Sequence, residues 1–384
     1  MTVEQTPHLG QTPPDVRRGH GADAAPRAGR SADVLRSLAR PGAPASAAMA
    51  LVLLIAAGIT TFADPFLLLV GQSCAVYAIA ALGQWLLIGR AGQIAISGAA
   101  FMAIGAFTTG LLADTPLEPF PIPVLVAAVV GWGVGLLSGL PGLRFRGLYL
   151  LLASVALQFI VAGLARNYQL EHAPAGLFVP PLHIGGLDLS IGQPLYLTLL
   201  VVLALVLLVL WAVERTGIGL AWRALKESEV AAAISGVDVT RWKLYAFALS
   251  GAITAIAGSL FAYVVGLAEN ETYSISLSIS LLTMIFIGGT GSRLGVLIGA
   301  VIITALPYVL QDHASAWLGA IGLTADWYTD NVSQVNAGLF SLVFLLVVLF
   351  SPQGIAGLAV GIERWVRRLL RRRAPSSPSQ RSPR

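Results

Sequence analysis

Residues 214–243, ERTGIGLAWRALKESEVAAAISGVDVTRWK, form a polar island in a chain that is otherwise apolar from about residue 45 to residue 350. The island carries Arg215, Arg223, Lys226, Glu227, Glu229, Asp238, Arg241 and Lys243, too many charges to cross a bilayer. It is not a featureless linker either. Trp222, Leu225, Val230 and Ile234 recur at three- to four-residue spacing, which predicts one short amphipathic helix with a single apolar stripe. Gly217 and Gly219 are placed to break structure before that helix, and Gly236 to end it. A helix of this kind, lying on the membrane face between two spans, can dock in a groove on a partner and pass force to the spans on either side. The plainer alternative is a solvated loop with an incidental amphipathic turn.

Composition fixes the class around the island. The 384 residues are 56% hydrophobic and only 11% charged, with mean hydropathy +0.78, whereas a soluble domain carries about 25% charged residues. The chain therefore reads as an all-α, polytopic membrane protein with about ten transmembrane helices, since the apolar runs are long and do not alternate as barrel strands would. The single cysteine, Cys74, excludes a disulfide framework and a thiolate metal site. The net charge of +5 is no nucleic-acid signature, because Lys and Arg collect in tails and short loops.

Residues 1–44 lack apolar periodicity and read as a disordered cytoplasmic tail. Hydropathy then places spans at Ala47–Phe62, Phe66–Ile88, Ile94–Ala113, Ile122–Leu140, Leu148–Ala165, Pro194–Val213, Leu244–Ala268, Ile275–Ile287, Leu294–Leu310 and Val335–Phe350. Alternate loops carry Arg90, Arg144 and Arg146, the island, Arg293 and the basic tail, while the others carry mostly Asp and Glu. This asymmetry predicts both termini and the island inside. The transmembrane domain runs 45–358, with a loop at 214–243, and is followed by a basic cytoplasmic tail, 359–384.

The segment RALKESEVAAAISGVDVTRWKLYAFALSG resembles the cytoplasmic coupling loop of permease subunits of ATP-binding-cassette importers, specifically the branched-chain amino-acid permease family. Its pattern is carried by Glu227, Glu229, Ala231, Ala232 and Gly236. Three further segments resemble the same family. One runs from Gly89 through Gly92 and Gln93 to Phe107, with Ala95 and Ser97-Gly98 as departures. Another is the turn Gly288-Gly289-Thr290-Gly291-Ser292. The last is Pro352-Gln353-Gly354 near the end. The resemblance covers roughly Val76–Leu358. It implies a type II importer-like permease that pairs with a second permease subunit, two ATPase subunits and an external solute-binding protein. ATP and magnesium would then bind on partner subunits, with no cofactor on this chain. In that picture Arg223, Glu227, Glu229, Ala231, Ala232 and Gly236 form the ATPase-coupling surface. Gly89, Gly92, Gly288, Gly289 and Gly291 make structural turns.

The glycine-rich turn at 288–292 is no phosphate loop, since no Lys-Ser/Thr follows it. Gly131, Gly135 and Gly139, like Gly291, Gly295 and Gly299, form small-residue ladders suited to close helix packing. Candidate solute contacts in or beside the spans are Gln93, Ser97, Gln158, Ser280 and Thr283, each of which could instead bond helix to helix. No Asp, Glu, Lys or His lies within a span away from its ends. Ion-coupled carriers use such groups, so energy has to come from elsewhere. His172 and His183 share an outer segment with Glu171 and Asp188, where solvated polar residues are the plain reading and a metal site the alternative. No nucleophile–base pair supports an intramembrane enzyme. The competing function is a self-contained facilitator or secondary carrier of a small neutral solute of urea, amide or polyol type, which explains the uncharged spans but not the island.

Overall fold

Long apolar runs in this chain become helices because a helix satisfies its own backbone. In a computed structural model the described residues are 64–321, without 145–146, 185–186 and 190–191, together with residue 338. The expected first span, the tenth span apart from Gly338, both tails and the Pro352-Gln353-Gly354 segment lie outside them. The helices are α1 (Pro65–Trp85), α2 (Gly98–Leu112), α3 (Ile122–Arg144), α4 (Leu148–His172) and α5 (Gln193–Arg215). The island supplies α6 (Gly217–Glu227) and α7 (Glu229–Ile234). They are followed by α8 (Val239–Val265), α9 (Ile275–Gly288) and α10 (Arg293–Ile321). Among the described residues, five segments are long and apolar enough to cross a membrane: Pro65–Arg90, Ile122–Leu143, Leu148–His172, Gln193–Arg215 and Val239–Val265. Gly98–Leu112, Ile275–Gly288 and Arg293–Tyr308 are shorter apolar helices. These eight stand where eight spans are expected from hydropathy.

The hub is α8, which packs most extensively against α3, then α2 and α1. Glycine makes this possible. A Cβ on Gly105 of α2 would run into the Ala255 carbonyl, and one on Gly258 of α8 into the Met102 carbonyl. On α3, a Cβ on Gly135 would stand 2.6 Å from the Phe247 carbonyl oxygen. The predicted ladder of the fourth span is thus a seam where helix backbones touch. In the second ladder, Gly299 packs against Met284 in the same way, but Gly291 faces open space and contributes nothing.

Several boundaries differ from those expected. The chain α1 ends in a π-helical turn, Leu86–Arg90, and the third span does not begin at Ile94. Residues 92–97 are non-helical, with Gln93, Ala95 and Ser97 buried and Gly92 and Ile94 exposed, as an extended chain alternates. The helix α4 runs on to His172, so Glu171 and His172 belong to a helix, where His172 stacks on Tyr168. Among the described residues two tiny antiparallel ladders interrupt the all-α character. One pairs β1 (Leu177–Phe178) with β4 (Leu267–Ala268), and the other pairs β2 (His183–Ile184) with β3 (Leu187–Asp188). Among the described residues no group of three His, Cys, Asp or Glu is gathered to hold a metal.

Candidate functional site: the island and the broken span it holds

The island folds as two helices rather than the single one expected. The break falls at Ser228, whose hydroxyl accepts from the Ala231 amide at 3.3 Å and so caps α7. The apolar stripe splits with it. Trp222 and Leu225 on α6 are buried, and Trp222 Nε1 donates to the Trp242 carbonyl of α8 at 2.9 Å. Val230 and Ile234 on α7 are instead 62% and 83% exposed. Gly217 and Gly219 sit in the first turn of α6 rather than before it. Gly236 does end α7: it has φ +83° and receives no contact within 4 Å of a Cβ position, and Asp238 then caps α8 through the Arg241 amide at 3.1 Å.

Two sets of charges tie the island down. Glu214, 5% exposed at the end of α5, accepts from Arg90 Nε at 2.9 Å and faces Arg293 Nη2 at 3.5 Å. Burial lowers the Arg293 guanidinium from its ordinary value and the Glu214 carboxylate opposes that shift. Arg90 also lies over the Trp85 ring at 4.9 Å. The second set centres on Glu229. Its Oε1 is 2.6 Å from Lys243 Nζ, a side chain only 2% exposed, and accepts from Gln93 Nε2 at 3.3 Å. Beside this pair a cleft of about 370 Å³ opens between α7, the start of α8 and Leu143 at the end of α3.

A third tie follows from the π turn. Its last carbonyls have no helical donor, and Lys226 Nζ donates to the Gly89 carbonyl at 2.8 Å. A cation at this position also suits the helix dipole. Gly92 passes so close that a Cβ would lie 3.2 Å from Lys226 Cα, and its φ of +70° favours glycine. The turn at 288–292 closes the same corner: Trp85 Nε1 donates to the Thr290 carbonyl at 2.9 Å, Gly288 and Gly289 are buried, and Gly291 is exposed.

The other end of the non-helical segment is held as firmly. The first turn of α2 leaves amides without helical acceptors, and neighbouring side chains supply them. Ile96 N donates to Ser154 Oγ at 2.8 Å, Ala99 N to Ser278 Oγ at 2.9 Å and Ala100 N to Gln158 Oε1 at 2.7 Å. Gln158 also accepts from Ser278 and donates from Nε2 to the Tyr273 carbonyl at 2.9 Å. Its amide is therefore committed to capping.

Of the expected residues, the structure brings Gly89, Gly92 and Gln93 against Lys226 and Glu229, and gathers Ser97 and Gln158 at the start of α2. Ser280 and Thr283 bond back to the Ser276 and Ile279 carbonyls of their own helix and join neither group. Arg223 is half-buried on α6, Glu227 and Ala231 are exposed, and Ala232 is buried. The sequence reading missed Ser278 and the pairing of Glu214 with Arg90 and Arg293. The signal for the latter was one acidic residue at a span end facing loops that are otherwise basic.

A family model described as the branched-chain amino acid transport system / permease component matches residues 67–351. The chain belongs to that family. The permease is 30% identical over 262 residues to the high-affinity branched-chain amino acid transport system permease protein LivM of Salmonella typhimurium, with 62% of each chain covered. It therefore spans less than two thirds of that relative's length. It is 26% identical over 317 residues to the fructose import permease protein FrcC of Rhizobium meliloti, covering 78% of each chain. It is 29% identical over 212 residues to the autoinducer 2 import system permease protein LsrC of Enterobacter sp., covering 50% of this chain and 56% of that one. No solved structure matches the permease.

Proposed function

We propose that this permease is the membrane-spanning subunit of a binding-protein-dependent ATP-binding-cassette importer, located in a prokaryotic plasma membrane with both termini inside. Its cargo is proposed to be branched-chain or other amino acids. The observation that carries the reading is the state of the island. One face of α6–α7 is locked to the bundle through Trp222, Lys226 and Glu229, while Leu220, Val230 and Ile234 stand 58%, 62% and 83% exposed. Apolar side chains exposed on a polar, well-anchored platform suit docking to another protein, here a separate ATPase subunit that holds the nucleotide and magnesium. A second permease subunit completes the path, an external solute-binding protein delivers cargo, and this chain itself carries out no catalysis. The relatives named for amino acids, fructose and autoinducer 2 keep the cargo class open to sugars, and amino acids come first on the similarity to LivM.

The test is a gentle-detergent pull-down of the tagged permease from native membranes, with co-purifying proteins identified. Recovery of ATPase subunits and a second permease, lost when Glu229→Ala and Gly236→Asp are combined, supports the importer. Recovery of the chain alone, or only with itself, and indifferent to the double change, would replace it with a self-contained facilitator of a small neutral solute.

A further inference from the structure

The covalent neighbours of α6–α7 are α5 and α8, yet its ties to Gly89 and Gln93 lead elsewhere. They lead into the non-helical segment that feeds α2, a helix of 15 residues, about 22 Å long against a hydrocarbon core of about 30 Å. This helix is therefore shorter than the hydrocarbon core, and non-helical chain leads into it. We propose that Gln93, assisted by Lys226, is the positioning residue through which α6–α7 sets the place of α2. A displacement of the island is then delivered first to this partial-length helix rather than only to the spans it is joined to. This deepens the importer reading and rests on it for its purpose, although the linkage itself is a property of this chain.

Three observations carry it. The segment is short and its near end is gripped on both sides of the Ser228 break, by Lys226 on Gly89 and by Glu229 on Gln93. Its far end has little freedom, because the amides of Ile96, Ala99 and Ala100 are bonded to side chains of α4 and α9. An extended run of a few residues tied at both ends transmits displacement instead of absorbing it. Finally, the far-end partners lead onward: Gln158 bonds both the first turn of α2 and the Tyr273 carbonyl just before α9, so α2 and the entry to α9 share one side chain.

Hydrogen–deuterium exchange on the purified permease in lipid nanodiscs reads this linkage without partners. In the double variant Gln93→Leu, Lys226→Met, which loses two charge-assisted hydrogen bonds, the amides of residues 96–100 are expected to exchange about tenfold faster, as part of that hold is passed on to them. Amides of residues 76–82 in mid-α1 should be unchanged. A purely local anchoring role would alter residues 89–93 alone, and that result overturns the proposal. Each single change leaves one tie and is expected to give an intermediate rate. Singles and double all matching the wild type at 96–100 would also overturn it. If the double variant does not insert, the singles alone decide between the same two outcomes. The pull-down described above decides the importer reading separately: a lone chain with the predicted exchange pattern would remove the importer and keep the linkage.

Discussion

Glu214→Gln isolates the contribution of the most buried carboxylate in the island. The change keeps the shape of the side chain and removes its charge. Arg90 and Arg293, with side chains 23% and 9% exposed, are then left facing each other with no counter-ion between them. Breaking a buried pair by removing one partner costs about 3–5 kcal/mol. The partial exposure of Arg90 and the 3.5 Å separation at Arg293 put this site at the low end, about 3 kcal/mol, or roughly a 150-fold shift in the ratio of folded to unfolded protein. Denaturant titration of the purified permease in mild detergent, followed by tryptophan fluorescence, measures it, with Trp85 stacked beside Arg90 as an internal reporter. The reasoning also predicts a partial rescue. Glu214→Gln with Arg293→Gln removes one of the opposed charges and should be less destabilised than the sum of the two single changes by at least about 1 kcal/mol. A Glu214→Gln protein within about 0.5 kcal/mol of wild type, or strict additivity in the double variant, would mean that solvent screens these groups and that they do not hold the island.

Gly236→Asp should leave the permease in the membrane at normal abundance, since there is open space for a Cβ there and aspartate tolerates the left-handed backbone better than most residues. It should nevertheless abolish nucleotide-driven uptake, and normal uptake by membrane vesicles at wild-type abundance would dismiss a coupling role for α7. Lys243→Met and Glu229→Gln should show a coupling energy of about 1–3 kcal/mol in a double-mutant cycle, measured by the same titration, because each removes the same buried ion pair. Gly258→Val places its new atoms against the Met102 backbone, which cannot swing aside as a flexible side chain would. It should destabilise by about 3 kcal/mol or more and deplete the protein from membranes, as judged by quantitative blotting against Gly133→Val, whose Cβ would meet nothing.

The spans that lie in the described residues are legible in sequence because hydropathy is a local property. The α3 ladder is legible because residues four apart share a helix face. The island's helical character could be read from its charge and stripe, but its geometry could not. Ser228 followed by Glu229 is a helix-start signal, and it outweighed a stripe that would have required one unbroken helix. The non-helical segment before α2 was hidden for another reason. Residues 91–97 are nearly as apolar as a span, and the side chains that take up the amides of Ile96, Ala99 and Ala100 where α2 begins, on Ser154, Ser278 and Gln158, lie 58 to 179 residues away. The Glu214 cluster likewise joins residues 124 apart, which no local pattern encodes. Gln158 shows the limit from the other side: a lone glutamine in a span suggests either a solute contact or a bond from helix to helix, and only its neighbours decide that its amide is already used as a cap.

The seam between α2, α3 and α8 bears on how mutations can accumulate in this protein. Where two helices meet through carbonyls and bare Cα atoms, every possible replacement adds volume and none can be offset by trimming a neighbour, because the neighbour has nothing left to remove. The exposed apolar positions of α4, such as Leu152, Phe159 and Leu164, carry no such restriction. A saturation library of the permease should therefore split along this line, with the three-helix seam refusing nearly every exchange and the outer face of α4 accepting most apolar ones. New binding properties can consequently be selected at the periphery while the centre of the molecule stays the same.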